Sequence, residues 1–147
     1  MVLFRAVALE KSEDPASANL TPGQRGLLGT EVLRAEVANG GFEQLFWNGS
    51  GDLVPWALDG FASFGCPELH ALAVEAAAEL GAGAYPTDRA LRHDVLTHVS
   101  ENVRERRRTR WNELNTRFYG SSESLADRQW AYIDAHPDEF FHDEPKG

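Results

Sequence analysis

From Pro22 onward the apolar residues recur at three- and four-residue spacing, and the breaks between runs fall on glycine, proline and asparagine. Leu27, Leu28, Val32, Leu33, Ala35 and Val37 form one such run behind Thr21-Pro22, an N-cap with proline at the first helical position. The spacing predicts a helix over about 22–39. Asn39-Gly40-Gly41 reads as its stop, since both residue types tolerate the left-handed conformation. Phe42–Trp47 predicts a short second helix. Asn48-Gly49-Ser50-Gly51-Asp52 predicts a turn whose Asp52 caps a helix over 53–64, with Pro55 tolerated in its first turn and Gly65 ending it. Pro67 opens a helix rich in strong formers, ELHALAVEAAAEL, which Gly81 stops. Thr87 is placed to cap a helix reaching about His98, and another covers roughly 101–119. Ser122 or Ser124 caps a last helix to about Ala135, closed by His136-Pro137. Lys11–Asn19 is polar, contains Pro15 and predicts a loop; Val2–Leu9 is ambiguous. No long alternating pattern argues for strands. The expectation is an all-α fold: a compact single-domain bundle of about six or seven short helices. It is preceded by an N-terminal segment and loop over 1–19, occupies 20–141, and is followed by an acidic tail over 142–147.

Charge changes this picture more than length does. Among 147 residues there are 23 acids and 14 bases, a formal net charge of −9. Such a chain repels nucleic acid and anionic membrane surfaces and attracts basic partners. The balance is uneven: 13 acids and 6 bases over 1–98, 3 acids and 6 bases over 99–117, and 7 acids and 2 bases over 118–147. Cys66 is the single cysteine, so no internal disulfide forms. The first residues lack a signal-peptide pattern, their apolar run being short and broken by Arg5, and no window reaches the ~20 apolar residues of a membrane span. A cytoplasmic protein is expected, in which the sequon Asn48-Gly49-Ser50 has no meaning.

Candidate chemistry is sparse. Ser50 sits in Gly-Ser-Gly without the strand–turn–helix context of a nucleophile elbow. Cys66 precedes a helix start, where the dipole lowers thiol pKa values; a small buried residue at a helix boundary is the plainer reading. Asp94 and His98 share a helix face but supply two ligands where zinc needs three or four. The glycines at 23, 26 and 29 lie in a helical stretch, without the strand or the Gly-Lys-Ser/Thr of a phosphate loop. No metal, cofactor or catalytic group is expected. Three readings stay open for Arg104, Arg106, Arg107, Arg108 and Arg110: a solvated face paired with Glu101, Glu105 and Glu113, contact with acids elsewhere, or nucleic acid. Solubility accounts for most of the carboxylates. Candidates for a partner contact are Glu31, Glu36, Glu43, Asp52, Asp59, Asp134, Asp138 and Glu139.

The run Glu36-Val37-x-Asn39-Gly40-Gly41-Phe42-x-Gln44-x-Phe46-x-Asn48, followed by Ser50-Gly51, resembles a bacterial family first labelled a domain of unknown function and now named for DNA mimic protein 19. Phe118-Tyr119, Leu125, Tyr132-Ile133 and His136-Pro137-x-x-Phe140 resemble its C-terminal pattern, so the likeness spans about 20–141. The resemblance implies a compact, mainly helical, acidic and non-enzymatic homodimer. Its surface carboxylates would imitate DNA phosphates and occupy the DNA-binding face of a helix-turn-helix regulator or another basic DNA-binding protein. The motif itself reads as a structural corner: Gly40 and Gly41 turn the chain, Phe42, Phe46 and Trp47 enter the core, and Asn39, Gln44 and Asn48 satisfy backbone groups at helix ends. A small-ligand pocket or enzyme site near Asn39, Gln44 and Asn48 is the lesser alternative.

Size supports a dimer. A domain of this length is about 35–40 Å across, and duplex DNA of that length carries about 20 phosphates. One copy at −9 is dilute beside that, whereas two copies with their acids on one side approach it. The competing reading within binding proteins is an acidic binder of another basic protein, of the immunity or antitoxin type.

Overall fold

The computed structural model describes residues 19–141. Val2–Leu9, nearly all of the predicted 11–19 loop, and the 142–147 tail lie outside them. Seven α-helices and one 3-10 turn follow in order: α1 (Pro22–Trp47), the turn (Gly49–Leu53), α2 (Val54–Ser63), α3 (Pro67–Ala78), α4 (Arg89–Thr97), α5 (Glu101–Tyr119), α6 (Leu125–Ala135) and α7 (Pro137–Phe140), with no strand among the described residues. The all-α expectation holds.

Helix α1 organises the rest. It opens on a capping box, in which Thr21 Oγ1 accepts from the Gln24 N–H at 3.2 Å and Gln24 Oε1 from the Thr21 N–H at 3.0 Å. It consists of two helical arms meeting at Gly41, whose backbone is non-helical (φ 80°, ψ −176°). The predicted break thus narrows to one residue. Its ψ is extended, where a left-handed cap was expected.

Two other predicted caps move. Asp52 does not cap α2, whose N-cap position falls on Leu53 without a side-chain bond; Asp52 faces a buried arginine instead. Asp88, not Thr87, caps α4 by accepting from the Ala90 N–H at 2.7 Å. The Thr87 carbonyl accepts from Arg92 at 2.9 Å, which fixes Thr87 one residue before the cap. Ser100 and Ser124 cap α5 and α6.

The N-terminal arm of α1 crosses α2 at glycine. A Cβ on Gly26 would lie 2.9 Å from Gly60 Cα, and one on Gly29 would lie 2.5 Å from the Ala57 nitrogen. Two of the three glycines that fit no phosphate loop, Gly26 and Gly29, therefore let two backbones touch. Gly29→Ala is expected to destabilise by about 1–3 kcal/mol, overpacking outweighing the helix-propensity gain of up to ~1 kcal/mol. Gly49→Ala, where a Cβ meets nothing within 4 Å, is the matched control in urea unfolding.

The end of the chain closes onto the start of α1. Glu139 accepts from the Gly23 N–H at 2.7 Å and from the Tyr132 hydroxyl at 2.5 Å, and its carbonyl accepts from Thr21 Oγ1 at 2.9 Å. A carboxylate at a helix N-terminus is favoured by the helix dipole. Burial, then the Glu139 bond and charge, push the Tyr132 phenol up to about 12. The folded state therefore holds this proton more tightly than the unfolded chain, whose phenols ionise near 10. The associated stability is whole below about pH 10 and is lost as pH rises toward the folded value. Denaturation midpoints measured across that window should fall more steeply for the wild type than for Tyr132→Phe.

Candidate functional site

Around Gly41 the sequence motif becomes a built corner. Phe42 and Phe46 are fully buried, Phe42 edge-on to Phe118 at 5.8 Å and Phe46 tilted against Trp111 at 5.5 Å. The break at Gly41 leaves the Phe42 N–H without a helical acceptor, and Asn115 Oδ1 of α5 takes it at 2.9 Å. Glu36 gathers the other polar residues. Its Oε2 accepts from Gln44 Nε2 at 2.8 Å and Asn48 Nδ2 at 3.2 Å, and its Oε1 accepts from Ser50 Oγ at 3.0 Å.

Two expectations are corrected here. Gln44 and Asn48 use their side-chain amides on a carboxylate, a stronger acceptor than a carbonyl, and not on open backbone groups; Asn39 is exposed. Trp47 does not enter the core: it is 44% exposed and stacks on His93 at 3.9 Å. The Trp47 carbonyl lies 2.7 Å from His93 Nε2 and accepts from Arg89 Nε at 3.1 Å, holding α4 against the end of α1.

Beneath this corner lies Arg92, which the sequence reading missed. It is fully buried. Nε donates to the Phe46 carbonyl at 2.9 Å, Nη2 to the Asn48 carbonyl at 2.9 Å, and Nη1 to those of Pro86 and Thr87 at 3.2 and 2.9 Å. Nη1 also meets Asp52 Oδ1 at 2.7 Å. Tyr85, whose hydroxyl donates to the Gly51 carbonyl at 2.7 Å, closes the same region. One guanidinium thus fastens the end of α1, the 3-10 turn and the start of α4.

The arginine-rich helix α5 is answered from inside the molecule. Between Arg34 and Arg89 the chain has eight acids and no base, and α5 meets several of them. Arg110 lies 2.9 Å from Glu75 and 3.3 Å from Glu113, Arg117 3.6 Å from Glu75, and Arg108 3.9 Å from Glu43. Arg104 pairs with Glu101 at 3.6 Å. Arg107 is buried and donates to the Glu79 and Val95 carbonyls. Of the readings left open, contact with acids elsewhere in the chain accounts for Arg108 and Arg110, and Arg117 joins them.

The sequence model of the DMP19-like protein family matches residues 18–136. The chain belongs to that family. No curated protein and no solved structure matches it.

In this DMP19-like protein the candidate carboxylates divide by what they touch. Glu36, Asp52 and Glu139 are held by internal bonds already described. Glu31 pairs with Arg34 at 2.9 Å, and Glu43 with Arg108. Asp59, Asp134 and Asp138 are exposed and have no basic partner among the described residues, as do Glu68 and Asp127, which the sequence reading did not single out. These five lie on α2, α3, α6 and α7. Those helices meet: Phe64 packs edge-on to Tyr132 at 5.0 Å, Arg128 donates to the Gly65 carbonyl at 3.1 Å, and Glu123 accepts from the Leu69 N–H at 2.8 Å. Asp127 and Asp134, seven residues apart, share one face of α6, about 10 Å apart along its axis. Asp88, Glu79 and Glu105 also lack an ion pair, but Asp88 caps α4 and the two glutamates lie beside or within the arginine-rich segment.

Metal and thiol chemistry find little footing here. Among the described residues no group of three or more His, Cys, Asp or Glu is placed to hold a metal ion. Asp94 and His98 form an exposed pair at 3.7 Å. Cys66 is buried, and burial raises its thiol pKa, the opposite of activation. No helix among the described residues is long and apolar enough to cross a membrane.

Proposed function

We propose that this chain acts by binding and not by catalysis, as a DNA-mimic-type protein that occupies the DNA-binding face of a basic, DNA-binding partner. The observation that carries this reading is the separation of charge. Arg108, Arg110 and Arg117 of the basic helix α5 pair with Glu43 of α1 and Glu75 of α3, while exposed carboxylates without basic partners lie on α2, the start of α3, α6 and α7. A face on which exposed carboxylates outnumber bases such as Arg128 attracts a basic surface over several ångströms and disfavours nucleic acid. Family membership supports the same class of role. Glu36, the carboxylate at the centre of the family motif, has both oxygens committed to hydrogen bonds, which fits a structural part better than a proton-transfer part.

The test is a capture experiment with the full chain at low and high salt, followed by competition with duplex DNA. A DNA-binding protein should be retained, elute with salt and be displaced by the duplex. A variant carrying Asp59→Asn, Glu68→Gln, Asp127→Asn, Asp134→Asn and Asp138→Asn should bind it at least about tenfold more weakly, each exposed charge contributing through long-range attraction. Retention of a partner that duplex DNA does not displace would favour the immunity-type reading. Retention of nothing, or equal binding by the neutralised variant, would remove the acidic face from consideration. Two copies acting together would double the acidic surface, so light scattering at micromolar concentration should return a dimer mass.

A further inference from the structure

Beside the motif lies a cavity of about 590 Å³ between the second arm of α1 and helices α4 and α5. That volume is in the range of small-molecule sites. The acidic face uses none of it. Its walls include Trp47, Trp111, Gln44, Asn48, Arg104 and Arg107.

The hydrogen bonds around it leave a specific set of groups unfilled. Gln44 and Asn48 donate their amide nitrogens to Glu36, which fixes both amides and leaves Oε1 and Oδ1 as acceptors. Gln44 Oε1 lies over Gly40, close enough that a Cβ there would collide with it, and Gly40 also lines the cavity. Arg107 is 7% exposed, with Nε and Nη1 bonded to the Glu79 and Val95 carbonyls. No acceptor among the described residues meets its Nη2. Among the described residues no side-chain nitrogen is both fully buried and unpartnered, so Nη2 keeps some exposure, and Arg107 lines the cavity. Arg104 is held loosely, at 3.4 Å from the Thr97 carbonyl and 3.6 Å from Glu101, and is free to turn toward an anion. The one carboxylate on the wall, Glu43, leans toward Arg108 at 3.9 Å. Trp47 is backed by the His93 ring, which stiffens it as a wall.

Two fixed acceptors, a buried guanidinium with a free N–H, a second mobile guanidinium and two indoles define a complementary guest. We propose that this cavity binds a small planar aromatic anion that also carries an amino or ring N–H donor. The ring packs against the indoles, the anionic group meets Arg104 and Arg107, and the donor meets Gln44 Oε1 or Asn48 Oδ1. Purine nucleotides and indole-type carboxylates share this chemistry. The site is distinct from the carboxylate face, so its failure would leave the proposed function standing.

The test follows the four tryptophan indole N–H signals by nitrogen-15 NMR while the full chain is titrated separately with adenosine 5′-monophosphate and indole-3-carboxylate. At least one probe should shift the Trp47 and Trp111 signals saturably and leave those of Trp56 and Trp130 in place. The first probe alone identifies a nucleotide source, the second alone an aromatic carboxylate, and both together a site that reads only the shared chemistry. Arg104→Gln should weaken binding roughly tenfold, as expected for a lost charge-assisted bond, and Trp47→Leu should weaken it while the Trp111 signal still reports. Adenosine and indole, which lack the anionic group, and inorganic phosphate, which lacks the ring and the N–H donor, should bind more weakly than the probe they derive from. Absence of saturable shifts with both probes, shifts centred on Trp56 or Trp130, or unchanged affinity in both variants would overturn the proposal.

Discussion

Replacing Arg92 with methionine is expected to destabilise the fold by about 3–5 kcal/mol, the cost typical of removing one partner from a buried charged network. The side chain is fully buried and donates to four backbone carbonyls, those of Phe46, Asn48, Pro86 and Thr87. Methionine fills much of the volume but donates nothing, and each carbonyl left dry costs roughly 1–3 kcal/mol where no other donor or water reaches it. Asp52, half exposed, rehydrates and contributes less to the loss. Arg92→Lys separates charge from geometry. An ammonium has three donors and no planar fork, so it cannot reach acceptors spread from the end of α1 to the start of α4. It should recover part of the loss and leave the variant clearly below wild type in urea unfolding. Equal stability of the lysine variant would mean that charge alone holds this corner. A methionine variant within 1 kcal/mol of wild type, the scale of one net hydrogen bond, would mean that water replaces the guanidinium.

The sequence made helices easier to read than joints. Thr21-Pro22, Ser100, Ser124 and Pro67 act locally, through caps and first turns, so their signal lies within four residues of the event. Asp52 and Thr87 looked like caps by the same rules but are governed by Arg92, forty residues from Asp52 and invisible to any local pattern. An arginine in the short polar run RALRHDVLT reads as surface because arginine is seldom fully buried unless paired. One usable signal was passed over: eight acids without a base between Arg34 and Arg89, followed by an arginine-rich helix, is the composition of two segments that neutralise each other. The carboxylates were therefore readable as a set, but not in their division. Glu36, Asp52 and Glu139 look no different in sequence from Asp59 or Asp134, and only tertiary placement commits the first three to the fold. The motif was legible as a corner. Local rules assign its amides to backbone because the carboxylate that takes them lies about two turns before Gln44 and three before Asn48.

Gly40 and Gly41 are indistinguishable in the sequence, yet their substitution by alanine should differ severalfold in cost. At Gly41 the backbone sits at φ 80° and ψ −176°, a region essentially closed to residues with a Cβ and worth about 1–3 kcal/mol of strain. An added Cβ would also press on Asn115 Nδ2, the side chain that accepts the Phe42 N–H. Displacing it adds the loss of that bond, about 1 kcal/mol, so Gly41→Ala should cost about 2–4 kcal/mol in all. At Gly40 the φ is ordinary, and the three atoms nearest an added Cβ all belong to the Gln44 side chain, which can turn away. The lost Gln44–Glu36 bond, about 1 kcal/mol, is offset by the helix-propensity gain of alanine over glycine, of similar size. Gly40→Ala should therefore be near neutral in stability. Asn115→Ala divides the two parts of the Gly41 effect. It removes both the obstruction and the acceptor, so the double variant should be less destabilised than the sum of the singles, leaving backbone strain as the remainder. Strict additivity would mean that Asn115 and the Gly41 backbone do not communicate. The corner would then be held by the burial of Phe42 and Phe46 alone.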